Sequence, residues 1–133
     1  MNRAAAVDLA VLAKHDAFCV GLGIELVEAS LGRAVTRVKV GVQHLNFHGA
    51  CHGGLTFTLA DAAFGFACNS RGVASSGIDT HMIYNRPVKA GDVLTATAVE
   101  ISPLQQAVAL SCRCRARRRQ AGGRTDWHGF RQR

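Results

Sequence analysis

The apolar positions of this chain recur with two different periods, one typical of helices and one typical of strands. From residue 4 to residue 20 they follow helical spacing, and Gly21 and Gly23 come next, so we predict one N-terminal helix there. Residues 24–40 alternate in part with a period of two on either side of a turn at residues 30–33, which predicts a β-hairpin.

The longest apolar run lies in the middle of the chain, between Gly53 and Ser70, and carries a single charge, Asp61. It follows a His-rich loop at residues 41–52 and contains no Pro. We predict a helix from Gly53 to about Cys68. Because this helix is apolar on almost every side, it should be buried in the core with no face left for water.

Segments with a strand-like pattern follow the central helix at residues 77–86, 93–102, 106–117 and 124–131. The second of them places Leu94, Ala96 and Ala98 on one face, as expected for a strand with one buried side. We therefore predict an α+β fold in which a curved antiparallel sheet of five to six strands wraps one central apolar helix. Residues 1–133 are expected to form a single domain, since no linker or repeat is visible.

The composition predicts a globular core, but a small one, since 48% of the 133 residues are hydrophobic. A domain of this size that also holds a ligand cavity gains from oligomerisation. No signal peptide is visible and no run approaches the length of a membrane span. The five Cys are an odd number, which is typical of free thiols in a reducing compartment, so we predict a cytoplasmic protein.

The net charge of +7 lies in residues 111–133, which contain eight Arg and one Asp, whereas the rest of the chain is neutral. Three interpretations of this Arg-rich segment are open: strands with a solvated Arg face, a patch that binds phosphate or nucleic acid, or a translated shift of reading frame. The sequence contains no element for reading bases, so nucleic-acid binding ranks last.

Asp61 is the first candidate catalytic residue. Asp has a mediocre helix propensity away from caps, and this one lies about two turns inside the predicted helix. Burial among apolar side chains raises the pKa of a carboxyl, which suits a general base or a nucleophile near neutral pH. A structural alternative, an acid on one exposed stripe or paired with an Arg, is open at this point.

Two glycines at the predicted helix start, Gly53 and Gly54, offer a second chemical group. The first N–H groups of a helix have no acceptor within the helix, and their partial positive charge can polarise a carbonyl. Asp61 lies seven residues beyond Gly54, roughly 10 Å along the helix, which is too far for both groups to act on one carbonyl. The sequence therefore indicates a site shared between two subunits.

The segment "NFHGACHGGLTFTLAD", followed by "AFGFACNSRG", resembles the hot-dog-fold acyl-CoA thioesterases, in particular the phenylacetic-acid-degradation (PaaI) type. The similarity extends over roughly residues 14–110. It implies a central helix wrapped in an antiparallel sheet, a homodimer with a continuous sheet, and dimers that often pair into a homotetramer. It also implies hydrolysis of an acyl-CoA to a free acid and CoA, without a metal or other cofactor.

The resemblance further implies roles for individual residues. Asp61 matches the catalytic carboxylate, acting as a base toward water or as a nucleophile, and the N–H of Gly53 from the other subunit polarises the thioester carbonyl. Asn46 matches an Asn that orients the carbonyl or the water. His52 and Gly54 complete the motif.

Two other positions matter to the resemblance. The segment "YNRPVKAGD" matches a region that contacts CoA, so Arg86 and Lys89 are expected to meet its phosphates. A Ser that related thioesterases carry on the strand after the helix corresponds to Gly77 here, with Ser75 and Ser76 just before it, which argues against a Ser role.

From these residues we predict an acyl-CoA thioesterase that acts on phenylacetyl-CoA or a hydroxylated derivative. The alternative is a non-catalytic hot-dog module that binds acyl-CoA. Three apolar side chains of the helix are expected to pack the core rather than line an acyl pocket: Leu55, Phe57 and Phe64.

The loop before the helix contains residue types that occur in zinc sites, namely His44, His48, Cys51 and His52. Their spacing matches no common zinc pattern, and the loop lies where the resemblance places the substrate. We therefore predict no metal and no other cofactor.

Overall fold

The computed structural model describes residues 8–103, 108–117 and 127–132. The predicted helix start at residues 4–7 and part of the Arg-rich segment lie outside the described residues. The elements are α1 (Leu9–His15), α2 (Ala17–Leu22), β1 (Glu25–Ser30), β2 (Arg33–Lys39), α3 (Gly53–Asn69), β3 (Met82–Ile83), β4 (Val93–Pro103), β5 (Val108–Arg117) and β6 (Trp127–Gln132). Among the described helices, none combines the length and the apolar character that a membrane crossing requires.

The prediction of one N-terminal helix is wrong at Asp16, where the segment divides into α1 and α2. The backbone leaves helical geometry there, with φ −76° and ψ 83°. The Asp16 N–H donates to the Leu12 carbonyl at 3.1 Å, and its carboxylate accepts the Cys19 N–H at 3.0 Å. Asp16 therefore ends α1 and caps α2, because its short acidic side chain competes for nearby N–H groups and favours caps over helix interiors.

The predicted hairpin is confirmed. Strands β1 and β2 are antiparallel, with Ser30 opposite Arg33 across a two-residue turn. Gly32 in that turn has φ +68°, which a residue without a Cβ adopts at little steric cost. Its N–H donates to Ser70 Oγ at 2.8 Å, so the turn is held to the end of α3.

Neighbouring strands are antiparallel, and their order in the sheet is β1-β2-β4-β5-β6-β3. The predicted strands at 93–102, 106–117 and 124–131 are confirmed as β4, β5 and β6 where the structure describes them, and residues 106–107 and 124–126 lie outside the described residues. The predicted strand at 77–86 is wrong in length, because β3 has only two residues. Met82 pairs with Gln132, where the description of β6 ends, so residues 77–81 have no described strand beside them to accept their hydrogen bonds.

Small and branched side chains on the inner face of the sheet let α3 lie close to it. The inward residues of β2, β4 and β5 are at most 2% exposed: Ala34, Thr36, Val38, Leu94, Ala96, Ala98 and Ala116. The Thr36 hydroxyl donates to the Leu59 carbonyl of α3 at 2.8 Å. This contact ties the helix to the sheet and confirms the predicted architecture of one central helix against an antiparallel sheet.

The prediction that α3 is buried on every side is wrong for one stripe of the helix. Phe57 is 38% exposed, Asp61 is exposed, and Phe64 and Gly65 are half-buried. The sheet covers the opposite side, where Leu59 is fully buried. We call these four uncovered residues the open stripe of α3. Its two phenylalanines leave apolar surface on which a ligand or a second chain can pack.

Candidate active site

At the start of α3, one backbone N–H has no partner among the residues that the structure describes. His52 caps the helix, since its Nδ1 accepts the Gly54 N–H at 2.9 Å and its carbonyl accepts the Leu55 N–H at 3.0 Å. The Gly53 N–H, by contrast, has no acceptor among the described residues. A helix start concentrates partial positive charge, so this N–H is suited to polarise a carbonyl oxygen.

Tyr84 fixes the position of Gly53. Its hydroxyl donates to the Gly53 carbonyl at 3.1 Å, and a Cβ added to Gly53 would lie 3.3 Å from the Tyr84 ring. The ring thus packs where any larger residue would crowd it. The sequence interpretation missed Tyr84, because the two residues lie 31 positions apart and no local pattern connects them.

A cavity of about 310 Å³ opens at this helix start, and Asn46, Gly53, Tyr84 and Arg86 contribute to its lining. The structure therefore brings together three of the predicted site residues, Asn46, Gly53 and Arg86. Lys89 lies outside that lining, in a turn where its N–H donates to Asp92 Oδ2 at 3.0 Å.

The Asn46 side chain holds its own loop. Its Oδ1 accepts the N–H groups of His48 at 2.9 Å and Ala50 at 3.2 Å. These two donors identify the oxygen end of the amide. The opposite end, Nδ2, is consequently the donor that Asn46 can offer to a ligand.

Asp61 lies beside a second cavity, of about 550 Å³, between α3 and the N-terminal helices. Its lining is largely apolar and aromatic, and one further acid belongs to it: Leu12, Asp16, Phe18, Cys19, Phe57, Thr58, Asp61, Ala62, Gly65, Phe66 and Asn69. The expectation that Phe57 only packs the core is therefore wrong, whereas Leu55 is a core residue. The sequence interpretation also missed Asp16 and Phe18, since it treated residues 4–20 as one uninterrupted helix.

The environment of Asp61 alters its titration. Burial against apolar walls raises the pKa of its carboxyl above the usual range, and the negative charge of Asp16 raises it further. The side chain still reaches solvent in the single chain. A carboxylate of this kind binds a proton more strongly than an ordinary one, which favours general-base chemistry.

Gly77 faces Asp61 across the open stripe. A Cβ at this position would lie 3.4 Å from the Phe64 ring and 4.0 Å from Asp61 Oδ1. Ser75 is held elsewhere, because its N–H donates to Asn69 Oδ1 at 3.0 Å and its hydroxyl donates to the Val73 carbonyl at 3.1 Å. Position 77 is thus the place from which a side chain could reach the acid, and here it is glycine.

Asp61 and Gly53 line different cavities within one chain. They are eight residues apart in one helix, about 12 Å at 1.5 Å per residue. One chain therefore presents an acid at the middle of α3 and a hydrogen-bond donor at its start, but it does not direct both at one point.

The histidines before α3 have structural partners. His44 is buried and its Nδ1 accepts the Gly41 N–H at 3.0 Å, while Nδ1 of His52 is engaged in the helix cap. Among residues 8–103, 108–117 and 127–132, no three His, Cys, Asp or Glu side chains are placed to hold a metal ion together.

Comparison with known proteins identifies a family and several relatives. The family model described as "Thioesterase superfamily" matches residues 48–102. Acyl-coenzyme A thioesterase PaaI of Escherichia coli (strain K12) is 46% identical over 85 residues, which are 64% of this chain and 61% of that protein. Human acyl-coenzyme A thioesterase 13 is 36% identical over 77 residues, 56% of this chain and 55% of that protein. The chain thus spans about three fifths of the length of these curated relatives.

Structural similarity covers more of the chain. The structure of the E. coli PaaI protein from the phenylacetic acid degradation operon superposes with a TM-score of 0.80 and 34% identity, covering 94% of this chain and 87% of that one. At this identity and coverage, fold and family are shared. The chain belongs to the thioesterase superfamily, among the hot-dog-fold acyl-CoA thioesterases of the PaaI type.

Proposed function

We propose that this protein is an acyl-CoA thioesterase, which hydrolyses the thioester of an acyl-CoA to a free acid and CoA. The observation that carries the proposal is one helix with two complementary groups, the unpartnered Gly53 N–H at its start and the Asp61 carboxylate in its middle. Membership of the thioesterase family supports the reaction type.

The active site is proposed to form between two subunits. Since Gly53 and Asp61 line different cavities in one chain, a homodimer would direct Gly53 of one subunit and Asp61 of the partner subunit at the same thioester. The apolar surface of the open stripe supports such pairing. Pairing of dimers into a homotetramer, the single domain over residues 1–133 and the cytoplasmic location stay predictions.

In the proposed reaction the thioester carbonyl oxygen accepts the Gly53 N–H, with Nδ2 of Asn46 as a second donor or as a donor to the attacking water. Asp61 removes a proton from water as the water attacks the carbonyl carbon, and the tetrahedral intermediate then expels the CoA thiolate. His52 takes part through its helix cap, which occupies Gly54 and leaves Gly53 unpartnered.

A covalent route is equally consistent with these groups. In it, a carboxylate oxygen of Asp61 attacks the carbonyl carbon, CoA leaves as the thiolate, and water hydrolyses the resulting anhydride. A single turnover in water labelled with oxygen-18 distinguishes the routes, because label in the Asp61 carboxylate indicates the covalent intermediate.

The substrate is proposed to be phenylacetyl-CoA or a hydroxylated derivative. Phe18, Phe57 and Phe66 in the lining of the Asp61 cavity support an aromatic acyl group. Arg86, which lines the cavity at the helix start, is proposed to bind CoA phosphates, with Lys89 in the following turn as a second cation.

The central experiment measures release of the CoA thiol from phenylacetyl-CoA and from a panel of acyl-CoAs. Asp61→Asn is expected to lower kcat by about 10²- to 10⁴-fold, because it removes the base while keeping the shape of the side chain. Asp8→Asn is a matched control, since it makes the same change at the cap of α1, where Asn also caps well. Equal rates for Asp61→Asn and the wild type would contradict the proposed mechanism.

A non-catalytic module that binds acyl-CoA is the second candidate. Gly77 favours it, because the chain has no hydroxyl at the position beside Asp61. This candidate predicts saturable binding of phenylacetyl-CoA with no release of thiol by the wild-type protein.

A further inference from the structure

Among the residues that the structure describes, the lining of the cavity beside Asp61 contains a second carboxylate and no cation. Asp16 contributes to the wall formed by the N-terminal helices, while Asp61 belongs to α3, and no Lys, Arg or His is among the lining residues. Cys19 is the other described lining residue that could become negatively charged. Burial raises the pKa of its thiol to about 12, so the thiol is neutral at physiological pH. The charge that the described lining residues present to the cavity is therefore negative.

Asp16 cannot turn away without a cost to the fold. Its carboxylate accepts the Cys19 N–H at 3.0 Å, and its own N–H is held by the Leu12 carbonyl at 3.1 Å. Losing a helix cap of this type destabilises the helix. The negative charge is thus fixed at the cavity wall by the junction of α1 and α2.

The aromatic part of the lining strengthens the effect of this negative charge on a group that enters the cavity. Phe18, Phe57 and Phe66 contribute apolar surface to the lining, although Phe18 and Phe57 also remain in contact with solvent in the single chain. Like charges repel more strongly beside apolar walls than in bulk water, and an unpaired charge loses part of its hydration there. A neutral aromatic acyl group meets favourable walls, whereas an acyl group with its own carboxylate meets two negative charges and no partner.

We propose that Asp16 is a specificity-determining residue that excludes acyl groups carrying a carboxylate. The substrates are then CoA esters of neutral, aromatic acids. This inference rests on the proposed function. Asp16 acts by repulsion rather than by contact with the thioester. This is selection against the wrong substrate, which discriminates as effectively as an added attraction for the right one.

The test uses two CoA esters of nearly equal shape that differ in charge, 4-carbamoylphenylacetyl-CoA and 4-carboxyphenylacetyl-CoA. The wild type is expected to prefer the carbamoyl ester by about tenfold or more in kcat/KM, as close like charges require. Asp16→Asn should reduce that preference several-fold, chiefly through a gain on the carboxy ester. Asn retains the helix cap, so the fold is expected to persist.

Asp8→Asn is the control, because it removes one negative charge at the cap of α1, outside the cavity lining. It should leave the preference unchanged. A preference that is the same in Asp16→Asn and the wild type overturns the inference, as does an equal loss on both esters, which would indicate a structural role alone.

Binding of the two esters by calorimetry separates this inference from the proposed function. If neither ester releases thiol, the thioesterase proposal fails, yet the ratio of the two dissociation constants still tests the role of Asp16. Tighter binding of the carbamoyl ester that Asp16→Asn reduces supports the inference, and equal binding of both esters by the wild type overturns it.

Discussion

The start and the middle of α3 differ in the chemistry they present. At the start, Gly53, Asn46 and Arg86 line one cavity, which therefore contains hydrogen-bond donors and a cationic side chain. In the middle, Asp61 faces aromatic walls and a second acid. One cavity is suited to an electron-rich oxygen, and the other to a neutral apolar group and a water molecule that loses a proton.

This difference explains why one chain is insufficient for the proposed reaction. A single straight helix cannot bring its start and its middle to one carbonyl, whereas two copies of the helix in antiparallel arrangement can bring the start of one beside the middle of the other. The fold therefore separates the Gly53 N–H from the Asp61 carboxylate along α3. The proposed homodimer is expected to bring one group from each subunit together.

After the loss of the Asp61 carboxylate, the next largest expected effect comes from removing the donor at the helix start. Gly53→Pro deletes the N–H at the first helical position, where Pro is well tolerated, and the extended backbone of His52 (ψ 133°) suits a following Pro. We expect kcat to fall by about 10²- to 10³-fold, as for the loss of one oxyanion donor.

Gly53→Ala is the matched control for that variant. It adds a similar Cβ against the Tyr84 ring but keeps the N–H. Steady-state kinetics should therefore show a much smaller loss for Ala than for Pro. Equal losses in both variants would mean that crowding of Tyr84, rather than the N–H, is responsible.

Mixing two inactive subunits tests whether the halves of the site come from different chains. A heterodimer of Asp61→Asn and Gly53→Pro subunits contains one site in which both groups are intact. Purified through two different affinity tags, it should recover about half of the wild-type rate per dimer. A heterodimer with no more activity than its parents would place both groups within one chain.

Tyr84→Phe sharpens the comparison at the helix start. It keeps the ring beside Gly53 but removes the hydroxyl that donates to the Gly53 carbonyl. We expect a fall in kcat of about tenfold or less with little change in KM, because a positioning group affects the transition state more than substrate binding. A rise in KM at constant kcat would instead indicate that Tyr84 contacts the substrate.

The smallest expected effect is a displacement of the pH profile at the middle of the helix. Gly77→Ser places a hydroxyl within reach of Asp61, and a hydrogen bond to the ionised carboxylate lowers its pKa. If Asp61 acts as the base, the acid limb of kcat/KM moves to lower pH. Gly77→Ala adds the Cβ without the hydroxyl and should not move the limb toward lower pH.

Much of the architecture follows from the sequence, because periodicity reports which faces are buried. The alternation of Leu94, Ala96 and Ala98 predicts β4, and the unbroken apolar run predicts α3. A helix that is apolar all round, however, does not reveal which side its own sheet leaves uncovered. The exposure of Phe57 therefore could not be predicted, and the exposure of Asp61 is one of two alternatives that the sequence leaves open.

The same limit applies within the candidate site. Asp61 is recognisable as the single charge in an apolar run, and Gly53 as the start of its helix. Tyr84 comes close to Gly53 only when the chain folds. Asp16 lies in a segment whose sequence resembles the exposed surface of an ordinary helix, so its role as a cap is not apparent. Their roles depend on tertiary geometry that local patterns do not encode.

Asp16 caps α2 and is also proposed to exclude acidic acyl groups. This double role restricts which substitutions at position 16 the protein can tolerate. Few residue types cap a helix well, chiefly Asp, Asn, Ser and Thr, so most substitutions at position 16 would weaken α2 before they altered any preference for an acyl group. Among the tolerated residues, Asn alone is nearly isosteric with Asp and lacks the charge. A descendant that accepts acidic acyl groups could therefore arise through the single substitution Asp16→Asn, whereas most other replacements at position 16 would weaken α2.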